Sequence, residues 1–197
     1  MWKQLVQDDR RPAIASIVRE IVDAIASTPP NGDHVDRALL RMYVAQNDVV
    51  PDPEDVAGTV LVDAISLLGK APGMPGLFGG LAGVGWAVAH VADEGTVELV
   101  CSSIDAALVR MLADWSGDYD LIGGLVGFGV YALERGEPGH AIAVRVLDHL
   151  AQLARPRAGG LAWHTPPRLL VPWQATNAPD GYWNLGLAHG TPGVVGV

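Results

Sequence analysis

The sequence predicts an all-α protein of helical hairpins arranged in two layers, and two observations carry that prediction. Glycine-rich helices that are apolar on every side alternate along the chain with amphipathic ones. A helix apolar all round is buried and an amphipathic one faces water, so the alternation means an inner and an outer layer. In addition, a glycine motif recurs: GGLAG at Gly79–Gly83, GGLVG at Gly123–Gly127 and HGTPG at His189–Gly193. The first two motifs are 44 residues apart, the length of one helical hairpin with its loops, and the third lies 66 residues further on. Repeats on this scale build a solenoid or a toroid.

The elements follow in order. Ile14, Ile17, Val18, Ile21, Val22 and Ile25 make one apolar stripe on a helix over 11–27, which TPPNG ends. Asp33 caps a second helix carrying Val35, Leu39, Met42 and Tyr43. Asp52 as cap, with Pro53 in the first turn, starts a third helix reaching about Leu68, and GKAPGMPG breaks it. An inner helix runs over about 80–92, DEGT turns the chain, and an outer helix over 97–114 presents Val100, Ile104, Leu108, Met111 and Leu112. A second inner helix covers about 124–135, and a second outer one, over 140–154, buries Ile142, Val146, Leu150 and Leu153. Residues 155–182 are rich in Pro and Trp. A loop is expected there, with a short β-hairpin near 160–175 formed by GGLAWHT and RLLVPWQ. The predicted division is 1–70, N-terminal outer helices, and 71–197, glycine-motif hairpins.

Composition narrows the function. With 197 residues, 49% hydrophobic and 18% charged, the chain holds a sizeable core. Thirteen basic against twenty-two acidic residues, net −9, speak against nucleic acid and anionic membrane surfaces as partners. The single cysteine, Cys101, permits no internal disulfide and no paired-thiolate metal site, and it fits a reducing cytoplasm. MWKQLVQDDRRP does not read as a signal peptide. Residues 74–92 are long enough to cross a bilayer, but Pro75, five glycines and His90 argue against a span. Neither a dinucleotide fingerprint, a phosphate loop nor a Gly-x-Ser-x-Gly elbow is present.

Repeated glycine inside helices costs about 1 kcal/mol each relative to alanine, so it needs a reason. Crowding of inner-helix N-termini around a common centre is one, and free N–H groups there would favour an anion or an enolate. His189 stands where the other motifs have Gly79 and Gly123. Histidine is the side chain suited to proton transfer at neutral pH, which makes His189 a catalytic candidate. Asp120 lies three residues before Gly123; spacing alone favours reading it or Asp118 as a helix cap. His164 is a minor candidate for reaching a site. Trp163, Trp173 and Trp183 line a pocket or simply pack. His34, His90, His140 and His149 read as structural.

GLFGGLAGVGWAVAH, YDLIGGLVGFGVYALER and GYWNLGLAHGTPGVVGV resemble successive repeats of the lanthionine synthetase C family, the lanthipeptide cyclases. The resemblance implies an α/α toroid, here an incomplete, open N-terminal part. It implies addition of peptide cysteine to dehydroalanine or dehydrobutyrine, closing thioether rings. Its implied site is catalytic His189 and Asp120, with Gly79, Gly80, Gly83, Gly123, Gly124, Gly127, Gly190, Gly193, Tyr119 and Trp183 as pocket or motif residues. His189 would take the thiol proton or protonate the enolate, and Asp120 would orient it or share the work. The family's zinc is held by two cysteines and a histidine in later repeats, so no metal ligand is assigned and no zinc is expected on this chain alone. Expected partners are a dehydrated precursor peptide and a separate dehydratase. The chain thus reads as an inactive fragment of a cyclase or the product of a truncated gene, with apolar inner helices exposed at the break. The alternatives are a non-catalytic peptide-binding relative and, more distantly, a toroid glycosidase, which needs two facing carboxylates.

Overall fold

The computed structural model describes residues 8–68, 74–157 and 159–197. Residues 1–7, on which most of the signal-peptide reading falls, and 69–73, most of the expected GKAPGMPG break, lie outside the described residues. Contacts divide the chain into two compact units, Met1–Leu67 and Leu68–Val197.

The first unit holds α1 (Arg11–Ala26), α2 (His34–Gln46) and α3 (Val56–Leu68). α1 has the expected span, yet of its stripe only Val22 is buried, and Ile14, Ile17 and Ile21 remain exposed. Asp33 sits at the N-cap of α2 without capping it through its side chain. Its carboxylate instead accepts from the Asn31 N–H and the Arg37 guanidinium, both at 2.9 Å. Arg37 in turn donates to the carbonyls of Ile25 (2.6 Å) and Thr28 (2.9 Å), tying α2 to the end of α1 and the turn after it. α3 starts later than expected because Asp52–Asp55 close a turn first. Asp52 still caps it, its carboxylate accepting from the N–H groups of Val56 and Ala57.

The second unit holds the hairpins. α4 (Leu81–Val91) packs on α5 (Glu94–Met111) and on α6 (Leu125–Arg135); α6 packs on α7 (His140–Leu153), and α5 touches α7. The inner pair is buried nearly all round: Ala82 to Gly85, Ala87 and Val88 in α4, and Leu125 to Gly129, Tyr131 and Ala132 in α6. The outer pair buries single stripes, Cys101, Ile104 and Leu108 in α5 and Ile142, Val146 and Leu150 in α7. That is the layering the alternation predicts. Leu153 departs from it and is exposed, at the last turn of α7. α5 begins at Glu94, because Asp93 accepts from the Gly95 and Thr96 N–H groups and turns DEGT into its first turn. A polar network ties the layers: the buried Tyr131 hydroxyl donates to Asp105 (2.5 Å), whose other oxygen takes Arg135 (2.9 Å).

The insertion differs from expectation. β1 (Arg155–Arg157) pairs with β2 (Gly160–Ala162), and β3 (His164–Thr165) pairs with β4 (Tyr182–Trp183), both antiparallel. GGLA therefore pairs backwards onto RPR. RLLVPWQ is no strand but a 3₁₀ turn followed by α8 (Pro172–Asn177). Pro166, Pro167 and Pro172 offer no N–H to a ladder, and Pro172 suits a helix's first position. The last helix is α9 (Thr191–Gly196). Among the described residues no helix is long and apolar enough to cross a membrane.

The three glycine motifs share one construction, and it corrects the sequence reading of the helix tips. The N–H groups of Leu81, Ala82 and Gly83 bond the carbonyls of Met74, Pro75 and Gly76. Those of Leu125, Val126 and Gly127 bond Asp118, Tyr119 and Asp120, and Thr191 N–H bonds Asn184. The entry turn doubles back and consumes the first-turn donors, so these tips offer no free N–H groups to an anion. The glycines answer mainly to the same turn. A Cβ on Gly80, Gly124 or Gly190 would strike the carbonyl oxygen six residues earlier, of Met74, Asp118 or Asn184. One on Gly83, Gly127 or Gly193 would strike Leu77, Leu121 or Leu187 in the same way. The first slot is different: a Cβ on Gly79 or Gly123 would meet nothing within 4 Å. His189 occupies the one glycine slot of the motif with room for a side chain.

Candidate active site

Two backbone bonds sew the motifs together. Phe78 N–H donates to Ile122 O (3.1 Å), and Leu121 N–H donates to Ala188 O (2.9 Å). The second of these sets residue 120 beside residue 189. Asp120 is nearly buried, and its carboxylate is engaged on both sides. Oδ1 accepts from the Gly123 N–H at 2.9 Å, and Oδ2 lies 2.6 Å from His189 Nδ1. The cap reading and the functional reading of Asp120 are thus both physically present, one on each oxygen. The His189 side chain is 51% exposed against 10% for Asp120, so the imidazole leans on a buried carboxylate and shows its other face outward. An ionised carboxylate only accepts, so against it Nδ1 carries a proton, and whenever the ring is neutral Nε2 is left as a basic lone pair.

Tyr119 holds this arrangement from behind. It is buried, and its hydroxyl lies 3.1 Å from Trp163 O and 3.3 Å from His189 O. Burial raises its pKa and keeps it a neutral donor. Trp163 is anchored in turn by Nε1 donating to Leu150 O at 2.8 Å. Asp118 is the second acid of the turn. Its Oδ1 accepts from the Tyr119 N–H at 2.7 Å, and burial, helped by the charge of Asp120, pushes its carboxyl above the ordinary value of 3.8.

The structure brings together Asp120, His189, Gly123 and Tyr119. Gly124, Gly127, Gly190 and Gly193 hold the backbone beneath them. Gly79, Gly80 and Gly83 build the first motif, which carries no polar side chain in the histidine slot. Trp183 is half-buried, its ring centroid 4.9 Å from that of His164, at the flank rather than on the pair. Trp173 is 67% exposed on α8 and lines nothing shared with His189. His149 bonds Leu112 O, and His90 stacks on Trp86 and meets Glu134, as structural histidines. Sequence reasoning missed the Tyr119 clamp and the partial burial of Asp118. The YD dipeptide itself was visible, but nothing local announces a hydroxyl reaching residues 44 and 70 positions away.

A zinc fits poorly here. Among the described residues no group of three His, Cys, Asp or Glu side chains could hold a metal ion. Cys101 is fully buried in α5, with its thiol 3.5 Å from Gly85 O and its pKa raised by that burial.

The profile described as Lanthionine synthetase C-like protein matches residues 38–197, and the chain belongs to that family. Among solved structures, a chain named nisin cyclase superposes with a TM-score of 0.63 at 18% identity, covering 90% of this chain and 49% of that one. The fold is accordingly of the α/α toroid type, and the chain spans about half the length of that structure. No curated protein matches in sequence.

Proposed function

We propose that this chain carries the proton-transfer half of a lanthipeptide cyclase site. The observation that carries the reading is the 2.6 Å contact between His189 Nδ1 and a buried, doubly engaged Asp120, with the His189 side chain half exposed. When a cysteine thiol adds to dehydroalanine or dehydrobutyrine, sulfur bonds the β-carbon. The π pair moves onto the α-carbon and carbonyl as an enolate, the thiol loses its proton, and the α-carbon gains one. In this reading His189 Nε2 takes the first proton or delivers the second. Asp120 keeps Nδ1–H in place and stabilises the imidazolium between those events. Proton transfer by a positioned side chain contributes about 10²–10⁴-fold to rate.

The family's zinc would supply a metal-bound thiolate, and the described residues do not gather its ligands. In this reading those ligands lie outside residues 1–197, and the chain alone is inactive. A glycosidase reading is less well supported, because Asp118 and Asp120 share one turn and Asp120 is bound to His189.

The test has two arms. Residues 1–197 alone, given zinc and a dehydrated cysteine-containing peptide, are expected to retain less than one zinc per chain and to close no ring by mass spectrometry. A longer polypeptide joining this chain to the C-terminal half of a lanthionine synthetase C-like protein is expected to cyclise, and His189→Asn to slow it about 10²-fold or more. Full activity of that variant would refute the role of His189.

A further inference from the structure

The insertion between α7 and the third motif carries a charge pattern unlike the rest of the chain. The whole sequence has net charge −9, yet His149 to Pro179 contains no Asp or Glu and holds Arg155, Arg157 and Arg168. None of the three pairs with a carboxylate among the described residues, and most other arginines there do not either; Arg11, Arg37 and Arg135 do. Arg155 donates to the carbonyls of Gln152 and Ala154 at the end of α7. Arg168 donates to Ser116 O at 3.3 Å, just ahead of the turn that carries Asp118 and Asp120.

Arg157 is the distinctive member. Its guanidinium carbon lies 4.6 Å from the Trp183 ring centroid, and Arg157 itself is exposed. Stacking on an aromatic face uses the flat side of a guanidinium and leaves its N–H edge free, in the fork geometry that grips a carboxylate with two parallel bonds. Trp183 is fixed from below, because β4 pairs it with His164 across the ladder. Six residues after Trp183 the same segment reaches His189.

We propose that Arg157, stacked on Trp183 and supported by His164, is a docking site for an Asp or Glu side chain of the peptide substrate, holding an acidic segment of that peptide beside His189. This rests on the cyclase reading for the identity of the peptide. Arg155 and Arg168, in the same acid-free segment, add positive charge that favours approach of an acidic chain, in a chain of net charge −9.

The experiment measures binding without chemistry. A labelled peptide of alternating Glu and Leu, and its counterpart with Gln for Glu, are titrated against the chain by fluorescence anisotropy. The Glu peptide is expected to bind about tenfold more tightly, the scale of one charge-assisted bidentate contact. Arg157→Gln is expected to remove that preference while leaving the Gln peptide's affinity unchanged. Trp183→Leu is expected to reduce the preference with circular dichroism and thermal midpoint retained, and raised salt should shrink it. Equal binding of the two peptides overturns the proposal, as does a preference that survives Arg157→Gln. Tighter binding of phosphatidylserine vesicles or of single-stranded RNA than of the Glu peptide overturns it in favour of those partners. The cyclase reading is tested separately by ring closure. Glu preference with no ring closure in the longer polypeptide sinks that reading alone, and ring closure without Glu preference sinks the docking site alone.

Discussion

At the scale of the residue, one hydrogen bond decides the state of the site. With Asp120 Oδ2 at 2.6 Å and acceptor-only when ionised, the neutral imidazole of His189 is held as the Nδ1–H tautomer. Nitrogen-15 spectra of the labelled imidazole are expected to show Nδ1 protonated and Nε2 bare, with Asp120→Leu relaxing that preference toward a mixture. An unchanged tautomer in Asp120→Leu would mean that another group orients the ring. The Tyr119 hydroxyl has one proton and two carbonyls within reach, so Tyr119→Phe removes the single donor that they share. Such a loss costs about 1–2 kcal/mol, readable as a fall in urea midpoint. His189 was legible in the sequence because an imidazole interrupts a glycine slot. The Arg157–Trp183 stack was not, because it depends on a strand pairing across an irregular segment that no periodicity marks.

At the scale of the element, the glycines separate into two kinds that look alike in sequence. The second and fifth positions of each motif lie against a carbonyl six residues back, while the first position opens onto free space at Gly79 and Gly123. Gly124→Ala drives a Cβ into the Asp118 carbonyl, and backbone on that side has nowhere to retreat because its oxygen also accepts from Leu125 N–H. Forced overpacking of this kind costs about 1–3 kcal/mol. Gly123→Ala, in open space and without a positive φ, is expected to change stability by no more than about 0.5 kcal/mol. Thermal midpoints of the two alanine variants check the contrast, and equal losses would refute it. Helix periodicity made α4 to α7 readable, since burial follows a 3.6-residue stripe. The doubling-back of each entry turn was not readable. It arises from hydrogen bonds between the turn and the helix start, and these use donors that a helix tip viewed alone would leave free.

At the scale of the whole molecule, the repeat spacing and the alternation of layers were enough to give two layers of helical hairpins, because both are long-range regularities that a single sequence displays; the toroid came with the family resemblance. The response of the fold to pH was not displayed, since it depends on which carboxylates are buried and which are bonded. Asp93 is held below its ordinary value of 3.8, chiefly by the Thr96 hydroxyl and then by backbone N–H groups. Its contribution is therefore present above that value and is lost as pH falls through its lower folded value. Asp118 has the opposite sign. Burial raises it, so the folded chain binds that proton more tightly than the unfolded chain does. A penalty appears as pH rises from 3.8 through the folded value and is complete above it. Asp118→Asn keeps an acceptor for the Tyr119 N–H and removes the buried charge. It is expected to unfold at higher urea than the parent at pH 7, with the gap closing as pH is lowered past 3.8. Asp93→Ala is expected to unfold at lower urea than the parent at pH 7, its gap also narrowing in acid. A destabilised Asp118→Asn at neutral pH would mean that the charge of Asp118 is held by a cation at the site, which would move it from a cost of the turn to a part of its chemistry.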